Sequence, residues 1–569
     1  EYNENTLNTS LKINQKLDFV TKGLSVQAMV NWKNWASSSY NRTIEPYYYG
    51  IKGGSYNPSN PTDYEIERLG TSGTDYLKTS DISKASDQTF YLDARVNYDR
   101  QFNLHHVTGM LMYMQREYRS SVLPERNQGF SGRFTYDYGQ RYLVELNFGY
   151  NGTERLAKKE RFEFFPAVSL GWVISNEKFF EPMTKYIDNL KIRGSYGLVG
   201  SDETGLSAGA QHFLYIDQVS LNNIGFTTGV DMNYTLYGPL VTNYAVVNGG
   251  WERVKKLDIG IDLELFRQLT ITADYFNEKR YNILLHREAW PESLGYYTAK
   301  PWSNKGKVDN WGIELSVNWR KEFTKDLYVD FRGNFTYTEN KYVNLDEPVY
   351  PYVWKTSTGK PLSRTTGYIA QGLFSSQEEI DNSPTQNLGS TVKPGDIKYR
   401  DVNGDGKIDG SDQVMISPYG TTPRIQYGLG MNVTYKKFDF GVFFNGSAKR
   451  TIMISGISPF GQSDYNVMQF IADDYWSESN PNPNAKYPRL GLTSSQTANN
   501  TVASTYWMRN GNFIRFKTLE LGYKFKYGRV YLNGDNIAVF SPFKLWDPEL
   551  SWNAYPLQRT FNIGVQLNF

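Results

Sequence analysis

The 569-residue chain has no cysteine, 16% aromatic residues including 44 tyrosines, and a formal net charge of +2; its mean hydropathy is -0.56. A disulfide framework is excluded, and a near-neutral charge without any Lys/Arg run argues against nucleic acid as a partner. No run of about 18 apolar residues exists, so no helical membrane span is expected, and Glu1 to Asn5 lacks the basic and apolar regions of a signal peptide.

Taken in chain order, the sequence alternates apolar and polar residues in paired segments. Leu7, Leu11, Ile13, Leu17 and Phe19 precede a turn at Val20 to Gly23, and Leu24, Val26, Ala28, Val30 and Trp32 follow it. The unit recurs with Phe90 to Tyr98 before Val107 to Tyr113, and with Phe134 to Tyr138 before Tyr142 to Tyr150, the turn there falling at Asp137 to Arg141. Val168 to Ile174 leads through a longer connection to Leu190 to Tyr196. Leu257 to Leu265 turns at Phe266, Arg267 and Gln268 into Leu269 to Tyr275. Trp311 to Trp319 precedes Leu327 to Tyr337, and Ile425 to Tyr435 turns at Lys436 and Lys437 into Phe438 to Phe444. Phe513 to Tyr523 turns near Gly528 into Val530 to Ile537. The chain then stops on Phe561, Ile563, Val565, Leu567 and Phe569, alternating with Asn562, Gly564, Gln566 and Asn568. A period of two puts one set on each face of a sheet. The count is about seventeen strands of roughly ten residues, a membrane-crossing length when tilted.

The connections alternate between short turns and long polar segments at about 36–88, 200–254, 279–307, 339–423, 448–511 and 538–557. Outer-membrane barrels sort their loops by end in this way, with short turns in the periplasm and long loops outside, whereas a soluble sandwich has no reason to. The expected fold is therefore an all-β, transmembrane antiparallel β-barrel. Because the first and last strands run in the same direction, joining them directly would pair parallel neighbours. Open edges in lipid leave backbone groups unpaired, so further strands are expected ahead of residue 1.

The most specific chemical string is Asp401-Val402-Asn403-Gly404-Asp405-Gly406-Lys407-Ile408-Asp409-Gly410-Ser411-Asp412. Oxygen ligands at Asp401, Asn403, Asp405, Asp409 and Asp412, the Lys407 carbonyl and a glycine at position six fit a structural Ca²⁺ loop. Position twelve carries a short Asp412 in place of the usual glutamate, and no amphipathic helices flank the loop. The alternative is an Asp/Asn/Gly-rich turn that holds no metal. Catalytic constellations are absent: Gly205-Leu206-Ser207-Ala208-Gly209 has no strand before it and no helix after it, and His105, His106, His212 and His286 lack metal or triad spacing. An enzyme is not expected. Loop aromatics could stack on sugar rings or anchor a partner, and Tyr296, Tyr297, Trp302, Trp354 and Trp476 are the substrate-contact candidates; interface girdles and loop packing are the competing uses of such rings.

Several strings together resemble the SusC/RagA family of TonB-dependent outer-membrane transporters. They are Asn189 to Gly197, Trp251-Glu252, Ile259 to Leu263, Asn304 to Val308, Gly312 to Leu315, and Lys393-Pro394-Gly395-Asp396-Ile397-Lys398-Tyr399 leading into the calcium-type loop. Lys486-Tyr487-Pro488-Arg489-Leu490, Asp547-Pro548-Glu549, Tyr555-Pro556-Leu557 and Arg559-Thr560 complete the series. The resemblance implies a 22-stranded barrel, of which residues 1–569 form the C-terminal portion beginning near the sixth strand, and a lumenal plug that this chain lacks. It implies TonB-ExbB-ExbD as energy source, acting through the N-terminal region, and a SusD-like surface lipoprotein as partner. The implied substrate is an oligosaccharide or a peptide, imported across the outer membrane. The rival readings are a passive diffusion porin and a soluble glycan-binding β protein.

Overall fold

Strict two-residue periodicity gives every strand one apolar and one polar face, and the computed structural model joins seventeen such strands into one sheet. It describes residues 1–568 apart from 121–122, 204–212, 224, 247, 295–299, 455–466, 492 and 552–553. The strands are β1 (Tyr2–Lys16), β2 (Leu24–Ser39), β3 (Ser83–Phe102), β4 (His105–Arg119), β5 (Glu125–Tyr138) and β6 (Tyr142–Thr153). Next come β7 (Phe162–Val173), β8 (Ile187–Ser201), β9 (Glu252–Leu265), β10 (Leu269–His286), β11 (Trp302–Thr324) and β12 (Leu327–Asn344). The last five are β13 (Ile425–Tyr435), β14 (Phe438–Ala448), β15 (Phe513–Phe525), β16 (Gly528–Phe540) and β17 (Thr560–Leu567). Each pairs antiparallel with the next in the chain. Among the described residues no register joins β1 to β17; the two run in the same direction, and β1 is exposed along its whole length.

The tight turns fall where the sequence places them. Gly139 and Gln140 have φ of +56° and +54°, and Phe266 and Arg267 have +55° and +53°. Two successive left-handed residues make the primed hairpin turn whose twist matches that of the flanking strands. The first turn is broader than expected: β1 ends at Lys16, and Phe19 lies in the turn, 81% exposed.

Register sorts the side chains into two opposed faces. One rung runs Val433, Phe440, Leu521, Leu532, Ile563, while the neighbouring rung runs Asp330, Asn432, Gly441, Glu520, Asn533, Asn562. On the apolar face Leu111, Phe134, Leu146, Leu170, Ile259, Leu521 and Ile563 are all exposed, a continuous patch far beyond what a soluble surface tolerates. The polar face carries the charges. Arg193 bridges Asp258, Asp262 and Asp274 at 3.2, 3.3 and 2.6 Å, and Arg133 meets Glu145 at 2.7 Å. No helix among the described residues is long and apolar enough to cross a membrane.

Two further features depart from the sequence expectation. Sorting of connections by end is not strict, since 120–124 and 154–161 are short links at the long-loop end. β11 is 23 residues long, so much of the segment 279–307 continues β10 and β11 beyond a bilayer's thickness. Backbone pairing needs no apolar side chains once the ladder leaves lipid, which is why hydropathy alone underestimates these strands. The deeply buried apolar side chains lie mainly in the long loops: Ile397, Tyr399, Ile408, Ile454, Ile471 and Trp507 form one cluster there.

Leu521→Arg places a charge in the middle of the apolar face and is expected to lower barrel stability by about 2–4 kcal/mol, the scale for a midplane cation. Urea unfolding in lipid, followed by the heat-shifted mobility of the folded band, reads the change. A shift indistinguishable from zero contradicts a lipid-facing Leu521.

Candidate functional site

The loops at the long-connection end form a folded layer of their own. Short ladders tie them together: Ala370–Leu373 with Ile397–Tyr399, Thr365–Gly367 with Val414–Ser417, and Thr451–Met453 with Met508–Asn510. At its centre Asp396 is fully buried. Its carboxylate accepts hydrogen bonds from the Lys393 N–H at 2.8 Å and from Asn500 Nδ2 at 2.7 Å, and Arg489 meets both its oxygens at 2.7 and 3.0 Å. Burial pushes the Asp396 carboxyl above its ordinary value, while Arg489 and the amide donors pull the other way. A buried carboxylate of this kind persists only because each lone-pair direction meets a donor.

Around Asp396, side-chain amides satisfy the irregular backbone. Gln386 Nε2 donates to the Ile397 carbonyl at 2.9 Å and its Oε1 accepts from the Tyr399 N–H at 2.7 Å. Asn499 Nδ2 donates to the same Ile397 carbonyl, Asn500 Oδ1 accepts from the Ile397 N–H, and the Tyr399 hydroxyl donates to the Asn499 carbonyl. Burial drives the Tyr399 phenol well above its ordinary value, so it stays a neutral donor. Gly395 is held at φ +85°, and a Cβ there would sit 2.2 Å from the Trp476 ring. A second staple joins the layer to the sheet: Arg515, 3% exposed, meets Asp547 at 2.7 and 2.8 Å and Glu549 at 2.7 Å. The strings Lys393–Tyr399, Lys486–Leu490 and Asp547–Glu549, distant in sequence, are thus the fasteners of this layer.

The 401–412 loop is closed by its own amides. Asp401 accepts from the N–H groups of Gly404 and Gly406 at 2.6 and 2.8 Å, and Asp405 accepts from that of Lys407. Gly404 and Gly406 take φ of +75° and +80°, the turn that the glycine spacing demands. Asp412, fully buried, accepts from Val402 N–H and Asp409 N–H at 2.8 and 2.9 Å, and Asp409 accepts from Ser411 N–H. The donor set is hard oxygen throughout and suits a divalent cation. Among the described residues, however, no three acidic or histidine side chains converge as a metal cluster would.

The aromatic candidates have different placements. Trp354 stacks on Tyr352 at 4.8 Å and its Nε1 donates to the Ser411 carbonyl, packing it against the 401–412 loop. Trp476 is 5% exposed and lies inside the loop core. Both are engaged in packing. Trp302, half-buried at the start of β11, stacks on His286 at 3.6 Å. Tyr296, Tyr297, Trp552, His212 and the 205–209 string lie outside the described residues. The buried amides Gln386, Asn499 and Asn500 had no signal in sequence, since single amides in a polar loop carry no period.

Residues 1–537 match the family model described as TonB dependent receptor-like, beta-barrel. The TonB-dependent receptor SusC of Bacteroides thetaiotaomicron is 27% identical over 469 residues, covering 77% of this chain and 43% of that protein. The TonB-dependent receptor P3 of Formosa agariphila is 25% identical over 478 residues, covering 77% and 45%. Among solved structures, the RagAB peptide transporter superposes with a TM-score of 0.68 at 17% identity, over 100% of this chain and 62% of that one. The chain belongs to the TonB-dependent receptor-like β-barrel family and resides in the outer membrane. The matches cover less than half the length of these curated relatives. In such barrels the short turns face the periplasm, so the folded loop layer is extracellular and the charged face is lumenal.

Arg489→Ala leaves Asp396 buried without its counter-charge and is expected to cost the loop layer about 3–5 kcal/mol. Limited proteolysis should then cut between residues 345 and 424 while the strands stay protected. Equal resistance of variant and parent contradicts the assignment.

Proposed function

We propose that this chain is the barrel portion of a TonB-dependent importer that brings a nutrient, an oligosaccharide or a peptide, across the outer membrane. The observation that carries the reading is the pairing of a charged, lumen-facing sheet with a compact extracellular loop layer. A diffusion porin needs no such layer, whereas a binding importer needs a rigid platform for substrate and for a capping partner. The likeness to SusC and to the RagAB transporter supports a SusD-like lipoprotein as that partner and TonB-ExbB-ExbD as the energy source. The parallel sense of β1 and β17 is consistent with a barrel closed by an odd number of further strands, and the family resemblance implies 22 in all. A lumenal plug would complete it.

Uptake by cells carrying the full-length protein is expected to fall to background when TonB is deleted. Uptake that continues without TonB, or steady ion conductance from the purified protein in planar bilayers, would identify a diffusion pore instead.

Residues Asp401, Asn403, Asp405, Asp409 and Asp412 and the Lys407 carbonyl would hold a structural Ca²⁺, whose charge would offset the acidic loop and lock it against Trp354. Extraction with a chelator should then raise the rate of cleavage near residue 405, and Asp405→Ala should lose the bound metal. Cleavage and metal content that stay unchanged remove the ion from the loop.

A further inference from the structure

The outer wall of β9 to β12 ends, on its extracellular side, in lysines that the protein does not neutralise. Lys255 stands directly opposite Lys279, Lys279 opposite Asp309, and Asp309 opposite Lys341, so one cross-strand rung holds three ammonium groups and one carboxylate. Lys307 lies one rung higher, opposite Tyr281, whose ring is 5.5 Å from Lys255 Nζ. These residues fall in step with Leu257, Tyr275 and Ile313 and so belong to the lipid-facing set. All four lysines are exposed, and among the described residues none of them is in an ion pair, whereas on the lumenal side of the same strands Lys256 meets Glu278 at 2.8 Å and Arg280 meets Glu252 at 2.7 Å. Like charges placed directly opposite each other in a ladder repel and cost stability. An anion from outside the chain would relieve the Lys255–Lys279 pair.

Aromatic rings fix the height of this rung. Tyr275, Trp311 and Tyr337 form a row on the same face, with successive ring centroids 6.4 and 5.6 Å apart, the kind of belt that settles at the headgroup level of a membrane. The lysine rung is one step above Trp311, about 7 Å along the strands. From Leu265, beside its periplasmic turn, up to Lys255 the wall rises about 25 Å along the membrane normal at the usual strand tilt, which is the height of the apolar band. Lysines at that level extend their ammonium groups into the headgroup layer. At the same end of β4 and β5 the cations are balanced within the protein, since Arg119 and Arg126 both meet Glu117 at 2.8 Å. Glu339, in the rung of Trp311, is taken by Arg424 at 2.7 Å and leaves the lysines unmatched.

Below the lysines the wall has a gap. Gly194 faces lipid opposite Ile259, two rungs beneath Lys255, and a Cβ there would meet nothing nearer than the Asp258 carbonyl oxygen at 3.7 Å. Tyr196 and Ile192 stand exposed on either side of it. A cationic rim over an apolar furrow matches a molecule with an anionic head and a hydrocarbon tail.

We propose that the outer wall of β9 to β12 binds a phosphate-bearing lipid of the outer leaflet, with the phosphate between Lys255 and Lys279 and an acyl chain along the gap at Gly194. A phosphate accepts hydrogen bonds from both ammonium groups and turns their repulsion into a bridge. The site rests on the outer-membrane location and not on what the barrel imports. The full-length protein in neutral detergent is incubated with equal amounts of monophosphoryl lipid A and the same lipid with its phosphate removed, and native mass spectrometry reads what is retained. The phosphorylated form is expected to be held roughly tenfold better, the scale of one charge-assisted contact. Lys255→Gln combined with Lys279→Gln should abolish that preference, Lys255→Arg with Lys279→Arg should keep it, and Arg119→Gln, which removes a cation already paired, should leave it unchanged. Heat-modifiable mobility confirms that each variant is folded. Without lipid the glutamine pair should melt no lower than the parent, because it removes a repulsion, and the stabilisation that monophosphoryl lipid A gives the parent should be missing from it. Equal retention of the two lipids, or a preference that survives in the glutamine pair, overturns the site. Excess inorganic phosphate that abolishes lipid retention would identify a free-anion site in its place. Loss of a bound lipoprotein or of a second copy from the glutamine pair, at unchanged lipid retention, would assign the lysines to a protein partner and equally overturn the lipid.

Discussion

The structure depends on one constraint: a backbone amide in hydrocarbon must find its partner within the protein. Each unpaired group there costs several kcal/mol, roughly, so a chain with no apolar helix can cross only as a hydrogen-bonded sheet. The sheet's pleat then assigns side chains to two solvents at once. Leu521 and Ile563 face lipid, and Glu520 and Asn562, one residue away, face the lumen. A one-residue slip in any register would exchange these sets, which is why the alternation holds from β1 to β17. It also explains why Arg193 and its three aspartates can coexist in the middle of a membrane protein: they share a wet interior face.

The extracellular loops obey a different economy of contacts. There water is present, strands are short, and packing around Ile397, Tyr399 and Trp507 replaces the ladder as the source of order. Irregular backbone in a packed core leaves peptide groups unmet, and Gln386, Asn499 and Asn500 meet them. Asp396 and Arg489, from loops on either side of β13 and β14, bind the two longest excursions of the chain to each other. Arg515, Asp547 and Glu549 bind that layer down onto the sheet. These two points fix the loop layer to itself and to the sheet. The lumenal wall below it continues the same polar lining.

The 401–412 loop illustrates how one string supports two accounts of the same geometry. Its glycines and carboxylates satisfy the turn through backbone amides alone, and the same oxygens retain lone pairs suited to a hard cation. Trp354, docked on the Ser411 carbonyl, ties this loop to the 345–364 segment in either case. Whatever holds the loop, its position at the edge of the loop core couples it to the Asp396 network through Ile408.

The sequence by itself determined the strands, their order, the tight turns at Gln140, Phe266 and Lys436, and the division into lipid and lumenal faces. All of these follow from a local rule of period two and from residues that accept left-handed backbone. The family strings were legible too, but only as strings. Tertiary structure decided what those strings do: Asp396 lies about a hundred positions from Arg489 and Asn500, and the three become one cluster only when the loops fold together. It also decided which aromatics are displayed, since Trp476 reads as a free loop ring and is in fact buried against Gly395. Local periodicity encodes an element's own geometry, whereas the partner of a buried charge, amide or ring is set by chain folding over long separations, where no short-range pattern survives.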